Sequence, residues 1–351
     1  MNIKYSNIIL TGSTGWLGSR LATALSKGLP DLRHIEKGGK QLVCFVKPGE
    51  NIETLLNLGV KIRYGDITNP EAVHNLLHGQ INSLVIHAAG LIHPTIFTKK
   101  LYEVNFKGTR NILEAANQNK VKRLVVISSN SPLGCNSNSD EKFTENSPYN
   151  PYMEYGKSKY QMEKMLLRTI KDTLAPEVTI IRPPWFYGPN QPGRQTEFFR
   201  MIKNGKFPLM GKGSNRRSMG YIDNLVLGTL LAAYNPKAAG EIYWIADEKP
   251  YSMLEIVDTI KDVLKYDFGL VTNKNNLHVP SVISDLARLT DRGLQSFGIY
   301  SQKIHVLSEM NQTIACDISK AKKDLGYKPI CGLREGMQKS VEWCLNNGQT
   351  I

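Results

Sequence analysis

The sequence predicts an α/β protein with a doubly wound parallel sheet and a smaller α/β lobe towards the C-terminus. Short apolar segments alternate with helical ones through the first half, and these segments lack the polar alternation of half-exposed strands. A glycine-rich turn also joins the first apolar segment to the first helix, as it does in nucleotide-binding units. The ligand crevice is therefore expected beyond the carboxyl ends of the strands.

The alternation of strands and helices can be followed to the middle of the chain. The predicted strands are NIIL (7–10), QLVCFV (41–46), VKIRYGD (60–66), SLVIHAAG (83–90) and RLVVISS (123–129). The predicted helices between them include NIETLLNLG (51–59), PEAVHNLL (70–77) and VNFKGTRNILEAANQN (104–119). This order predicts a nucleotide-binding domain of residues 1–182 with a return segment at 219–247. The second lobe is expected to consist of residues 183–218 and 248–351.

Composition and charge narrow the classes of function. The 351 residues are 41% hydrophobic and carry a net charge of +13. No apolar run reaches the roughly 18 residues that a membrane span needs, and no signal-peptide pattern precedes the first strand. The basic residues are dispersed, which favours a solvated basic surface or an anionic small-molecule partner over nucleic acid. Scattered cysteines and unclustered histidines predict reduced thiols, no metal site and a cytoplasmic location.

Three glycines follow the first strand in a GxxGxxG pattern. In Rossmann-type folds one such glycine permits a tight turn, another lets backbone amides approach a pyrophosphate, and a third lets the helix pack on the strand. A purely structural turn could use the same residues, but the position directly after the first strand favours phosphate binding. The residues of this turn predicted to contact a dinucleotide are Gly12, Ser13, Thr14, Gly15, Trp16, Leu17 and Gly18.

Small or acidic residues also follow the later strands, where they would let a flat cofactor lie against the backbone. The candidates are Asp66, Ile67, Ala88, Ala89, Gly90, Ser128 and Ser129. The second strand ends at Lys47 and lacks the acid that binds the adenosine ribose in NAD-dependent folds. Lys47 could instead hold a 2′-phosphate, which favours NADP over NAD. Glu50 or Glu53 could still supply the missing acid.

Tyr155 and Lys159 stand four positions apart in a predicted helix, so that their side chains share one face. Such pairs are common on helix surfaces. A phenol has a pKa near 10, but an adjacent ammonium and the positive charge of an oxidised nicotinamide would favour the phenolate. Tyr155 is therefore a candidate general base for a substrate hydroxyl group.

Seven motifs occur in the order found in one enzyme family, namely TGSTGWLG, GDITNPEAV, HAAG, EVNFKGTRNILEAA, VVISSNS, YGKSK and IRPPWFYGP. Over nearly its whole length the chain resembles the extended short-chain dehydrogenases/reductases. That family includes nucleotide-sugar epimerases and dehydratases and 3β-hydroxysteroid-dehydrogenase-like enzymes.

The resemblance implies roles for particular residues. Tyr155 is the expected base, Lys159 also binds the nicotinamide ribose, and Asn105 steadies the site. Ser129 matches the family's hydrogen-bonding serine, with Ser128 as the fallback.

Further contacts follow from the same resemblance. Arg182 and Pro183 are expected beside the nicotinamide. Arg217 is expected to hold the diphosphate of a nucleotide sugar, with Asp223 nearby, because a guanidinium suits bidentate contact with phosphate. A salt bridge between Arg217 and Asp223 is the alternative interpretation. A homodimer is expected through the helix that carries Tyr155.

The positions after Ser129 bear on the reaction type. Sugar dehydratases of the family carry an Asp-Glu pair where this chain has Asn130 and Ser131. Elimination of water is therefore disfavoured, hydride transfer is retained, and Ser129 and Asn130 are predicted substrate contacts.

Two enzymatic functions remain open. A nucleotide-sugar epimerase is favoured, and the alternative is a dehydrogenase or reductase of a sterol-like or other lipophilic alcohol or ketone. For the alternative, apolar residues at helical spacing could line a lipophilic pocket, although a helix packed on the core would look the same. These residues are Val282, Leu286, Leu289 and Leu294. A non-catalytic redox sensor or RNA-associated protein is disfavoured because the tyrosine–lysine pair is retained.

Overall fold

A computed structural model describes residues 4–29, 32, 41–170 and 176–351 of the chain. Its strands are β1 (Ile8–Thr11), β2 (Leu42–Val46), β3 (Lys61–Tyr64), β4 (Leu84–His87), β5 (Arg123–Ile127), β6 (Glu177–Arg182), β7 (Trp185–Tyr187), β8 (Pro208–Met210), β9 (Arg216–Arg217), β10 (Met219–Tyr221), β11 (Ile242–Trp244), β12 (Tyr251–Ser252) and β13 (Leu277–Val279). Seven of them form one parallel sheet in the order β11-β6-β5-β4-β1-β2-β3, which confirms the predicted fold class. The chain reverses direction across the sheet between β1 and β4, where such folds place their ligand crevice.

Helices cover both faces of this sheet and build the second lobe. They are α1 (Trp16–Ser26), α2 (Glu53–Leu58), α3 (Pro70–Leu77), α4 (Lys99–Leu101), α5 (Thr109–Gln118), α6 (Met153–Thr169), α7 (Gly193–Lys203), α8 (Ile222–Tyr234), α9 (Met253–Asp262), α10 (Ser281–Ser296), α11 (Gln302–Glu309), α12 (Ser319–Leu325) and α13 (Leu333–Asn346). A π-helical segment, Tyr102–Gly108, joins α4 to α5. The predicted helix 104–119 therefore starts earlier and contains a wide turn that apolar spacing did not reveal.

The strands of the sheet separate two hydrophobic cores. Ile8 and Leu10 of β1 lie in one core, and Ile9 between them lies in the other. Since both faces of the strand are buried, each position favours an apolar side chain. This is why the strands read as continuous apolar runs in the sequence.

The chain crosses between the sheet and the second lobe more than once. After β10, helix α8 packs against α1, and β11 then adds to the edge of the sheet beside β6. Helices α10 and α11 pack on each other, and α10 also contacts α6. Among the described residues, no helix has the length and apolar character needed to cross a membrane.

Candidate active site

The glycine turn packs its backbone tightly between β4 and α1. Gly12 has φ +70°, a left-handed conformation that favours glycine. A Cβ on Gly12 would lie 2.5 Å from the Ala89 nitrogen, and one on Gly18 would lie 1.9 Å from the Gly12 oxygen. The first turn of α1 carries no acidic side chain, and no side chain caps its amide groups. These amides are therefore available to an anion, and the turn fits the diphosphate of a dinucleotide.

The other predicted residues of this turn differ in what their side chains do. The Leu17 side chain is buried in the core, and the Trp16 indole donates to the Pro189 oxygen at 2.7 Å. Both side chains are therefore engaged within the protein, and only the backbone amides of these residues can contact a ligand. Ser13 is also buried, whereas the Thr14 hydroxyl donates to a Glu50 carboxylate oxygen at 2.5 Å. Glu50 thus places an acid directly beside the turn.

The end of β4 forms the floor of the crevice. Ala88 and Ala89 are half-buried and Gly90 is exposed. A Cβ on Gly90 would lie 3.3 Å from Lys159 Nζ and 3.4 Å from Asn105 Oδ1. A side chain at this position would therefore crowd the predicted lysine and asparagine.

Asn105 links three parts of the site. It lies fully buried in the π-helical segment, where its Oδ1 accepts from the Leu91 amide at 2.8 Å. Its Nδ2 donates to the Leu91 carbonyl at 2.9 Å and to Ser158 Oγ at 3.0 Å. Asn105 thereby fixes the loop after β4 against the helix that carries Tyr155. Single π-helical turns of this kind occur often at functional sites.

Tyr155 and Lys159 are both buried on α6, so that they do not form a surface pair. Lys159 Nζ donates to the Ile127 carbonyl at 3.0 Å. Burial lowers the pKa of Lys159 to about 8, although the charge of Glu163 opposes the shift. A cation with a pKa so close to neutrality can serve in proton movement as well as in binding.

In the polypeptide by itself, burial is the largest influence on the pKa of Tyr155. The expected joint effect of Lys159 and a bound oxidised nicotinamide stays a prediction. Burial raises the pKa of Tyr155 to about 12, and Lys159 is not among the groups that act on it. A hydrogen bond from Ser129 lowers the pKa of the phenol, while the charge of Glu309 raises it. The serine rather than the lysine is therefore the group that favours the phenolate here, because Lys159 is directed to the Ile127 carbonyl.

The two candidate serines have different partners. Ser128 Oγ donates to Glu163 at 2.5 Å, so that this hydroxyl already has a hydrogen-bond partner inside the protein. Ser129 lies against Tyr155, with its Oγ 3.2 Å from Ser131 Oγ. Asn130 is half-buried next to it. Of the two serines, Ser129 is the one that faces the phenol.

The side chain of Arg182 does not reach the crevice. It is fully buried and forms an ion pair with Glu163 at 2.6 Å, and it also donates to the Tyr149 hydroxyl at 3.0 Å. A buried guanidinium needs these partners, so the Arg182 side chain is held within the protein, and the expected place of this loop beside the nicotinamide stays a prediction. Pro183, which follows it, is buried as well.

Asp223 is also engaged elsewhere. Its carboxylate forms a bidentate pair with Arg20 at 2.6 and 2.7 Å, which joins α8 to α1. Both the predicted substrate contact of Asp223 and the alternative Arg217–Asp223 salt bridge are wrong. Arg217 is buried, its Nη2 donates to the Glu309 carbonyl, and its Nε has no hydrogen-bond partner among the described residues.

Charges at the end of β2 and β3 form a small network. Lys47 Nζ lies 3.0 Å from Asp66 Oδ2, although 61% of the Lys47 side chain is exposed. Asp66 also accepts hydrogen bonds from the Thr68 amide and hydroxyl. Burial alone would raise the pKa of the Asp66 carboxyl, but the hydrogen bonds from Thr68 and the contact with Lys47 lower it overall. Ile67 is buried and its carbonyl accepts from Asn111 at 2.9 Å.

Several residues near Tyr155 were not predicted from the sequence. Glu309 raises the pKa of Tyr155, and Tyr300 lies with its hydroxyl 2.5 Å from His93 Nδ1. His305 Nδ1 lies 2.7 Å from the buried Asp291. Glu309, Tyr300, His305 and Asp291 belong to the α10–α11 region, which is distant in sequence from Tyr155 and carries no motif that points to the site.

A family model described as the NAD dependent epimerase/dehydratase family matches residues 8–246. The chain belongs to that family. This confirms the extended short-chain dehydrogenase/reductase resemblance, and the chain is an NAD(P)-dependent enzyme of that type.

The chain is similar in sequence to several known proteins and in fold to several solved structures. The uncharacterized protein y4nL of Sinorhizobium fredii is 50% identical over 344 residues, which cover 98% of this chain and 96% of that protein. The N-acetyl-α-D-glucosaminyl-diphospho-ditrans,octacis-undecaprenol 4-epimerase of Escherichia coli O157:H7 is 30% identical over 259 residues, covering 74% and 72%. The crystal structure of UDP-glucuronic acid 4-epimerase from Bacillus cereus with UDP-glucuronic acid and NAD superposes with a TM-score of 0.72 at 23% identity, over 97% of this chain and 99% of that one. The structural likeness bears on the fold alone.

Proposed function

We propose that this enzyme inverts a secondary hydroxyl group of a sugar that is linked to a diphosphate. The observation that carries the proposal is the buried group of Tyr155, Ser129 and Lys159 beside the open floor at Gly90. The name of the 30% identical relative, a 4-epimerase, supports the reaction type.

The residues of the site have complementary tasks in this reaction. A bound nicotinamide ring supplies the hydride acceptor and, after the ketosugar has turned over, the hydride donor. Tyr155 takes the proton from the sugar hydroxyl and later returns it, while Ser129 donates a hydrogen bond that stabilises the phenolate. Lys159, held by the Ile127 carbonyl, positions its ammonium at the crevice floor.

The diphosphate is assigned to Arg217. Its Nε–H is buried without a hydrogen-bond partner among the described residues, and its Nη2 is already oriented by the Glu309 carbonyl. An unpaired buried donor is costly, and a phosphate oxygen would satisfy it. Nucleotide sugars are the first candidate substrates, and a sugar on polyprenyl diphosphate is the second, because the 30% identical relative is named for such a substrate.

The four apolar residues that favoured the dehydrogenase alternative differ in exposure. Val282, Leu286 and Leu289 are exposed on α10, and Leu294 is half-buried, so that three of the four fit an enclosed lipophilic pocket poorly. Net oxidation or reduction of a lipophilic alcohol or ketone remains the outcome that the decisive assay must distinguish.

The decisive assay follows sugar stereochemistry and cofactor together. Purified enzyme is incubated with catalytic NAD or NADP and with a panel of UDP-, GDP- and dTDP-sugars, polyprenyl diphosphate sugars and sterols. We expect inversion at one carbon, seen by NMR, at constant reduced-nicotinamide absorbance. Stoichiometric formation or consumption of reduced cofactor with no inverted sugar would replace the epimerase by a dehydrogenase.

For the cofactor we propose NADP, on the basis of the cation at the end of β2. Lys47 favours a 2′-phosphate, whereas Glu50 beside Thr14 would repel it. Lys47→Ala should reduce the preference for NADPH over NADH by up to about fivefold, because one charge pair near a protein surface is worth at most about 1 kcal/mol. Glu50→Gln should shift the preference in the opposite direction. Tighter binding of NADH to the unmodified enzyme, measured by fluorescence titration, would overturn the NADP assignment.

We also propose a cytoplasmic homodimer that packs through α6, the helix that carries Tyr155, as the family resemblance implies. Sedimentation velocity of the full chain should give twice the monomer mass. A monomer at all concentrations would contradict this assembly and would leave the assignment of the site unaffected.

A further inference from the structure

On helix α10 polar residues face the protein and apolar residues face solvent, which is the reverse of the usual arrangement. The residues that face the protein are mostly polar, and Ser284, Asp291 and Gln295 are all buried. The large apolar residues lie on the opposite face, at the i, i+4 and i+7 positions Val282, Leu286 and Leu289. An amphipathic helix of a globular protein normally presents its apolar face to the core.

The buried polar side chains of this helix form hydrogen bonds with neighbouring segments. Ser284 Oγ donates to the Leu307 carbonyl at 3.0 Å, and Asp291 binds His305 at 2.7 Å. Gln295 Oε1 accepts from the Glu154 amide at 2.9 Å, directly before Tyr155. The orientation of α10 is therefore fixed by several specific contacts, and its apolar face is directed to solvent.

The exposed apolar face of α10 continues into neighbouring segments. At the end of the helix Phe297 is 84% exposed, and Ile299 pairs with Phe97, which is 63% exposed. Ten of the eighteen exposed large hydrophobic residues among the described part of the chain lie within residues 92–97 and 282–306. We call this surface the α10 face. Concentrated exposure of this kind marks an interaction surface.

Basic side chains surround the α10 face. Arg292 and Lys303 are exposed on α10 and α11, and Lys99 and Lys100 are exposed next to Phe97. None of the four forms an ion pair with another described residue. Asp285 is the only fully exposed acidic residue within 91–101 and 281–309, two segments that the structure describes completely. The surface is therefore apolar at its centre and cationic at its edge.

We propose that the α10 face docks the enzyme on the surface of an anionic lipid bilayer. Apolar side chains would enter the headgroup and acyl boundary, and the basic edge would contact anionic headgroups, each cation adding about 1 kcal/mol. A second copy of the chain complements this surface less well, because it brings the same cationic edge and a further net charge of +13.

Docking in this orientation would bring the crevice close to the bilayer surface. The α10 face continues into the 92–97 loop, in which His93 contacts Tyr300, and α10 itself bonds the first turn of α6 through Gln295. The inference concerns the surface alone and does not depend on the proposed epimerase reaction.

The test is cosedimentation of the full chain with vesicles. We expect binding to vesicles of phosphatidylglycerol mixed with phosphatidylcholine, and little binding to phosphatidylcholine alone. Leu286→Gln combined with Leu289→Gln should weaken binding at least ~10-fold, because two inserted side chains are lost. Leu56→Gln is the matched control, since Leu56 is 62% exposed on α2, outside the α10 face, and this variant should bind normally.

Further variants separate the contributions and the competing explanations. Arg292→Glu with Lys303→Glu should weaken binding to anionic vesicles and reduce its dependence on salt, while Lys99 and Lys100 retain part of that dependence. Far-ultraviolet circular dichroism of each variant confirms that it is folded. Equal binding of the Leu286/Leu289 variant and the unmodified chain would overturn the proposal. A second result would also overturn the proposal. If the unmodified chain fails to bind vesicles and forms a dimer that dissociates in the Leu286/Leu289 variant, the α10 face is a dimer interface.

Discussion

The sequences of the glycine turn and of helix α10 constrain structure in different ways. At the turn, the absence of a side chain is essential, since a Cβ on Gly18 would lie 1.9 Å from the Gly12 oxygen. On α10, large side chains at Leu286 and Leu289 contact mainly solvent. A change of one methyl group should therefore matter more at the turn than a change from leucine to glutamine on α10. The expected effects below run from the largest to the smallest.

Tyr155→Phe should have the largest effect, on turnover. Loss of the general base is expected to lower kcat about 10³-fold, while the fold and cofactor affinity stay close to those of the unmodified enzyme. Steady-state kinetics on the identified substrate and fluorescence titration of cofactor provide the two measurements. Near-normal kcat in this variant would remove Tyr155 from the mechanism.

Gly18→Ala should have the second largest effect, on stability. The added Cβ overlaps backbone atoms that cannot move independently, so that the free energy of unfolding should fall by roughly 3 kcal/mol. Urea unfolding monitored by circular dichroism measures the loss. Gly193→Ala is the matched control, because the space around that helical glycine is open. An equal loss in both variants would contradict the close packing of the turn.

The buried His305–Asp291 pair should make the α10 side of the crevice sensitive to pH. Burial alone would lower the pKa of His305, but the hydrogen bond to Asp291 and the charges of Glu309 and Asp291 raise it overall. The raised pKa means that protonated His305 stabilises the fold below its unfolded-state value of about 6.5, and that this stability is lost as pH rises through the folded-state value.

The free energy of unfolding should therefore decline in the unmodified chain as the pH rises above about 6.5 and through the raised pKa of His305. The decline should be smaller in His305→Gln, which keeps a donor for Asp291 without titrating. Urea unfolding across this range provides the measurement. Identical pH profiles for the two proteins would show that His305 does not contribute charge to the pair.

Leu286→Gln should have the smallest effect on stability. Because the side chain is 58% exposed, the free energy of unfolding should change by no more than about 0.5 kcal/mol. Ile9→Val, which removes one methylene from a fully buried strand position, should cost about 1 kcal/mol in the same assay. A larger loss for Leu286→Gln than for Ile9→Val would mean that α10 packs its apolar face on protein.

Two kinds of sequence information led to correct expectations. Apolar runs predicted the strands because β1 alternates between two cores, with Ile9 in one and Ile8 and Leu10 in the other. The family motifs identified the enzyme class, and the described geometry brings Tyr155, Ser129, Lys159 and Asn105 to one end of the sheet.

Sequence reasoning was least informative for charged residues whose partners are distant in sequence. Arg182 binds Glu163 and Asp223 binds Arg20, so that both side chains already have partners within the protein. Burial and the hydrogen bond from Ser129 shift the pKa of Tyr155 in the cofactor-free chain, and helical spacing predicted neither of them. Spacing along the chain places two side chains on one helix face, but it does not say which groups surround them.

The sequence by itself determined the parallel sheet, the glycine turn and the enzyme family, because those features depend on local backbone geometry and on continuous burial of strands. The tertiary structure alone decided which charges were paired and which face of α10 met the solvent. The physical reason is that electrostatic partners and solvent exposure depend on contacts between segments far apart in the chain. The same apolar spacing on α10 fits a core, a pocket or an outer surface, and only the buried hydrogen bonds of its polar face distinguish among them.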